Sequence, residues 1–220
     1  NVLGEVVEGG AAAINGCKQC HGSTVIVVKD GKLDPATWPN SGIGRVNPDG
    51  SKGSCAACHG RHRFSSAQAR QPENCGKCHM GPDHPQIEIY NESKHGIQFR
   101  AHVSEMNLDS KSWVVGKDYT AAPTCASCHM SATEGQSATH DVGTRISWTL
   151  RPAISIKQDN WQKKRENMQE VCANCHATGW VENFYKQYDM TVDLYNDKFA
   201  KPAKSVMDKL YADGKITKSP

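Results

Sequence analysis

The chain has 220 residues, a mass of 24.1 kDa and a mean hydropathy of −0.63, with 37% hydrophobic residues and a formal charge of +3. Its longest run of large apolar residues, Val25-Ile26-Val27-Val28, is far short of the ~20 that span a bilayer, so no transmembrane segment is expected. Lys and Arg are scattered, with only short runs such as Lys163-Lys164-Arg165, and the basic stripe with interleaved aromatics of a nucleic-acid binder is missing. Neither a charged leader nor an apolar h-region precedes Asn1, and the chain reads as a mature or trimmed product.

In chain order, the first segment to stand out is 22–54. It is predicted to hold one strand, Val25 to Lys29, a turn at Lys29-Asp30-Gly31-Lys32, and a long loop rich in Gly, Pro and Asn. Short helices follow at Ser65 to Arg70 and Glu88 to His95. The last third is the clearest helical region. Trp161 to Cys172 reads as one helix. Glu182 to Phe199 carries Phe184, Tyr188, Val192, Tyr195 and Phe199 at helical spacing, an amphipathic stripe suited to packing. Pro202 is then expected to open a final helix to about Asp213, stopped by Gly214.

All ten cysteines fall in five copies of C-x-x-C-H: Cys17/Cys20/His21, Cys55/Cys58/His59, Cys75/Cys78/His79, Cys125/Cys128/His129 and Cys172/Cys175/His176. This is the attachment pattern of haem c. A turn-like C-x-x-C offers two thiols to the two vinyl groups, and the following imidazole ligates the iron. Zinc sites draw four ligands from paired units and would leave one unit over, and five disulfides would need no histidine after each pair. The residues therefore point to five covalent haem c groups, which replace much of the side-chain core. Spacings of 38, 20, 50 and 47 residues between motifs exclude a solenoid of equal repeats. The expected architecture is mainly α: a five-haem domain over 1–180 with the 22–54 insertion, then a helical segment over 181–220. Haem c is attached outside the cytoplasm, which places the protein in the periplasm or on the cell surface. With ten propionates the holoprotein carries about −2 when oxidised and about −7 when reduced.

Ten histidines are present. Five follow the motif cysteines as proximal ligands, and His62, His84, His95, His102 and His140 equal in number the five distal positions. His62 is too close to His59 to cap the same iron and would serve a neighbouring one. Met80 and Met130 directly follow a proximal histidine and are read as packing residues. If all five spare histidines ligate, every iron is closed and suited to electron transfer; an enzyme needs one open iron.

Several stretches resemble the hydroxylamine oxidoreductase family of multihaem cytochromes. They are Cys55-Ala56-Ala57-Cys58-His59-Gly60-Arg61-His62-Arg63-Phe64-Ser65, Gln71-Pro72-Glu73-Asn74-Cys75-Gly76-Lys77-Cys78-His79 and Gly81-Pro82-Asp83-His84. Ser93-Lys94-His95-Gly96, Ala122-Pro123-Thr124-Cys125-Ala126-Ser127-Cys128-His129-Met130 and Thr139-His140 complete the set. The likeness runs from about Gly16 to Gly214 and covers the C-terminal five haems of an eight-haem family. It implies that the haem at Cys17, Cys20 and His21 is the five-coordinate catalytic one, with Asp83 and His84 over its distal face as a proton relay. It further implies that His62, His95 and His140 are distal ligands elsewhere; His102, in the stretch Ile97 to Ser104 that is inserted relative to the family, is the remaining spare histidine and the expected fourth. The tyrosine that cross-links the catalytic haem in oxidising members lies beyond the matched part, so reduction of nitrite or hydroxylamine is the family expectation. The alternative is a non-catalytic conduit with all five haems bis-histidine, assembled into an extracellular filament. Redox partner proteins or other multihaem cytochromes are the expected partners, with a trimer or filament of this chain as the expected homo-oligomer.

Overall fold

The computed structural model describes residues 20–37, 40, 42–60, 62–82, 85–149 and 154–217. Helices dominate, and the described residues contain one sheet of two strands, in keeping with the mainly α expectation. The chain divides into two units, Asn1–Ile97 and Gln98–Pro220.

In the first unit the predicted strand Val25 to Lys29 does not form. Only single bridges occur, Thr24 with Val46 and Val27 with Leu33, around a turn in which Gly31 takes a φ of +72°. The reason is packing: Val25 is buried, but Ile26, Val27 and Val28 are exposed and have no sheet to lie on. Helix α1 (Ser66–Arg70) starts as predicted, because the Ser65 hydroxyl accepts from the Gln68 amide. Pro72 opens α2 (Pro72–Gly76), where its missing N–H costs nothing.

The expected helix Glu88 to His95 is instead two, α3 (Gln86–Glu92) and α4 (Lys94–Ala101). Ser93 is extended at the joint. Its hydroxyl donates to the Tyr90 carbonyl at 2.7 Å and accepts from the Gly96 amide at 3.1 Å, closing one helix and capping the next. A Cβ on Gly96 would lie 2.0 Å from the Tyr90 oxygen, so the bend requires glycine there.

The second unit has its core around Met106, Trp113, Val115 and Tyr119, all buried. Trp113 donates to the Met106 carbonyl at 2.8 Å and stacks on Tyr119 at 4.4 Å. Tyr119 donates to Ser131, which donates back to the Trp113 carbonyl. Helix α5 (Cys125–His129) begins with a capping box between Thr124 and Ser127, both buried. Strands β1 (Trp148–Thr149) and β2 (Ile156–Lys157) pair antiparallel. Helix α6 (Trp161–Ala173) matches the sequence reading to within a residue.

Helix α7 (Thr178–Tyr195) does not stop before Pro202. A π turn over Asn196–Ala200 joins it directly to α8 (Lys201–Ala212). The wider turn lets the chain pass a proline in the first turn of α8, where an ordinary helix would clash with the carbonyl four residues back. The π turn is anchored by Asn196, whose buried side chain exchanges two hydrogen bonds with the Ser155 backbone. Gly214, at φ +66°, follows the helix end as expected. Along α7 and the π turn, Phe184, Tyr195 and Phe199 are exposed, so within this chain the aromatic stripe is only partly packed. Among the described residues no helix is long and apolar enough to cross a membrane.

Candidate haem-binding site

Each motif described in full is a single helical turn. In three of them the same bond closes the turn: the amide of His59, His79 or His176 donates to the carbonyl of Cys55, Cys75 or Cys172, at 2.8, 3.1 and 2.9 Å. The fourth, Cys125 to His129, is α5 itself. Residues i, i+3 and i+4 share one face of such a turn, so both thiols and the imidazole project together. Cys20 and His21 are also helical; Cys17 lies outside the described residues.

The first motif has a neighbour that sequence reasoning missed. The 22–54 insertion folds back on it, and the amides of Ile43 and Gly44 donate to the carbonyls of Cys20 and His21 at 3.2 and 2.9 Å. Capping the end of a helical turn in this way satisfies carbonyls that have no partner within the turn. The approach depends on glycine: a Cβ on Gly42 would sit 1.9 Å from the Gly22 nitrogen, and one on Gly44 2.5 Å from the His21 oxygen. The Gly-rich composition of the loop signalled a turn, but not where it lands.

Thiols from different motifs converge within each unit. Cys20 hydrogen-bonds Cys78, and burial together with Cys20 pushes the Cys78 thiol up to about 11. Burial also raises the Cys58 thiol, with neighbouring Cys75 adding to it. In the second unit burial pushes Cys128 up to about 12, reinforced by Cys172 and Cys175. The thiols of Cys172 and Cys175 are raised chiefly by burial as well. None of the nine described cysteines is joined in a disulfide.

Two of the motif imidazoles stack on an aromatic ring. His176 stacks on Trp180 at 4.4 Å and 19°. His59 stacks on Phe64 at 5.8 Å and 14°, and Phe64 adopts a φ of +45°, a conformation a bulky residue rarely takes. His59 Nδ1 is buried with no hydrogen-bond partner among the described residues. Thiols unbridged and paired on one face, with an imidazole beside them, fit a porphyrin tethered by two thioethers and ligated by the histidine.

The other histidines are dispersed. His62 lies in the turn after the second motif, His95 in the first turn of α4 and His140 in the loop before the 3₁₀ turn Val142–Arg145, all three exposed. His102 Nδ1 meets Glu105 Oε1 at 2.7 Å, the kind of carboxylate contact that fixes the orientation of a ligating imidazole. Asp83 and His84, read as the proton relay, lie outside the described residues.

A family model described as seven times multi-haem cytochrome CxxCH matches residues 48–219, and one for cytochrome c7 and related cytochrome c matches 7–80. Between them the matched stretches take in all five motifs. The chain is 30% identical over 204 residues to a probable nitrite reductase-hydroxylamine oxidoreductase fusion protein of Kuenenia stuttgartiensis, covering 76% of this chain and 24% of that protein. It is similar to a solved hypothetical multiheme protein, with a TM-score of 0.76 and 27% identity over 92% of this chain and 55% of the other. It is also similar to a chain of a Kuenenia stuttgartiensis reducing HAO-like protein complex, with a TM-score of 0.57 and 31% identity over 74% of this chain and 37% of that one.

Proposed function

This chain belongs to the multihaem cytochrome c family, and we propose that it is an extracytoplasmic relay of five covalent haems whose first, at Cys17, Cys20 and His21, reduces nitrite or hydroxylamine. Electron transfer is the property of the family as a whole. The observation that carries the multi-centre reading is the convergence of thiols from separate motifs, Cys20 with Cys78, Cys58 with Cys75, and Cys128 with Cys172. Attachment points near enough to influence one another's charge keep the bound groups close.

When bound, each haem supplies an iron centre that exchanges one electron at a time. The ten motif cysteines would hold the groups covalently, and His21, His59, His79, His129 and His176 would ligate their irons. His62, His95, His102 and His140 are proposed as the distal ligands of four closed irons. Asp83 and His84 are left to exchange protons at the first site, because reducing nitrite consumes protons with electrons and a carboxylate–imidazole pair can supply them near neutral pH. The Ile43 and Gly44 amides hold the His21 turn in place. The likeness to a reducing HAO-like complex supports the direction of reaction, and a second multihaem cytochrome is the proposed partner. Attachment chemistry outside the cytoplasm supports the location.

The test is spectroscopic. The ferric protein should show one high-spin haem in five, and the ferrous protein should bind CO at that one. His84→Ala should leave the low-spin count unchanged. A wholly low-spin spectrum with no CO shift, or one low-spin haem lost in His84→Ala, would make His84 a ligand and the protein a closed conduit.

A further inference from the structure

Arg145 is buried at 3% exposure, and all three of its guanidinium nitrogens are spent on neutral groups. One terminal nitrogen donates to the Cys128 carbonyl at 3.0 Å, the other to the Ser131 carbonyl at 2.7 Å, and Nε to Gln136 Oε1 at 3.3 Å. No described carboxylate lies within ion-pair distance of it; Glu170 of α6, whose carboxylate accepts from the Thr133 hydroxyl, acts on its charge from further away. A guanidinium stays charged even when buried, so the fold keeps a cation, neutralised only from a distance, against the back of the fourth C-x-x-C-H turn. Burial lowers the Arg145 pKa from its very high ordinary value, and the hydrogen bond to the Cys128 carbonyl fixes the charge at the end of that turn.

We infer that Arg145 sets the redox potential of the haem held by Cys125, Cys128 and His129, raising it above what a neutral side chain would give. The inference rests on the reading that this turn carries a haem. Reduction adds one negative charge at the iron. A fixed positive charge in a low-dielectric interior favours the reduced form, and water does not screen it there. Glu170, two residues before Cys172, carries the opposite charge and acts on Arg145. The hydrogen bonds of Arg145 also bind the chain after α5 to that turn, so its charge and its structural role must be separated by experiment.

The experiment is a spectroelectrochemical titration of the holoprotein and of three variants, each first checked for five haems by intact mass. Arg145→Gln should lower the midpoint potential of one haem and leave the other four in place. Arg145→Lys, which keeps the charge but not the three-way hydrogen bonding, should stay close to the parent. Glu170→Gln should raise the potential of the same haem. With five haems retained, an Arg145→Gln titration that overlays the parent would overturn the inference, as would a fall in Arg145→Lys as large as that in Arg145→Gln. Should Arg145→Gln not fold, Glu170→Gln decides: a rise supports the inference and an unmoved titration overturns it. A parent protein lacking a haem at Cys125 and Cys128 would instead remove the reading on which the inference stands.

Discussion

Replacing Cys125 and Cys128 together by serine is expected to yield a chain with four haems and a second unit that does not hold its native fold. Serine is close to cysteine in size, so the substitution itself barely disturbs α5, whose start is secured by the Thr124–Ser127 capping box. What is lost is the attached group. The 220-residue chain is only 37% hydrophobic, and the buried apolar and hydroxyl side chains at the start of this turn are small: Ala122, Thr124, Ala126 and Ser127. A void the size of a porphyrin there should cost more than the ~3–5 kcal/mol of truncating a core aromatic to alanine. Cofactor binding and folding are coupled in the same way in metal-dependent domains. Intact mass would show one haem fewer, and urea unfolding of the purified protein would show an early, broadened transition. A five-haem product with the parent's unfolding curve would contradict this.

Asp189→Asn is expected to destabilise the second unit by about 2–4 kcal/mol at neutral pH. Asp189, on α7, accepts from Trp148 Nε1 at 2.9 Å and from Arg165 at 2.7 Å, and Lys157 lies 3.4 Å away. Arg165 comes from α6, also binds the Ser147 hydroxyl, and lies over the Tyr185 ring at 4.1 Å. One carboxylate thus ties α6, α7 and the β1–β2 hairpin together. Without it Arg165, 7% exposed, loses its counter-charge. Burial by itself raises the Asp189 carboxyl, but hydrogen bonds from Arg165 and Trp148 and the charges of Arg165 and Lys157 outweigh it and hold the group below its ordinary value. A depressed carboxyl contributes stability that is present above the unfolded-state pKa of about 3.9 and lost as the pH falls through the lower folded value. The difference between parent and variant should therefore be full near pH 7 and shrink below about pH 4. Denaturant unfolding at the two pH values measures it, and an equal difference at both would contradict the assignment.

The readable part of the fold is the part set by local chemistry. Ser65 before α1, the polar run of α6 and Gly214 after α8 each act within one turn of their own position. The four motifs described in full are local too: their Cys and His residues are placed by a single helical turn. Of the features that escaped prediction, one is local and the others depend on groups far apart in sequence. Ser93 breaks one expected helix into two because Gly96 lets the chain approach Tyr90 closely. The helix runs through Pro202 because a π turn forms around Asn196, held by Ser155 some forty residues earlier. Val25 to Lys29 has the composition of a strand but no neighbouring sheet. The landing of the 22–54 loop on Cys20 and His21, and the burial of Arg145 behind Cys128, likewise follow from tertiary contacts that no short window contains.

The most direct measurement is the intact mass of the native polypeptide after extraction of any loosely held cofactor, with its absorption spectrum. Five thioether-bound haems predict the 24.1 kDa polypeptide plus five haem increments that survive acid–organic extraction, and an intense Soret band. Fewer than five surviving increments, or a spectrum without a Soret band, would contradict the account.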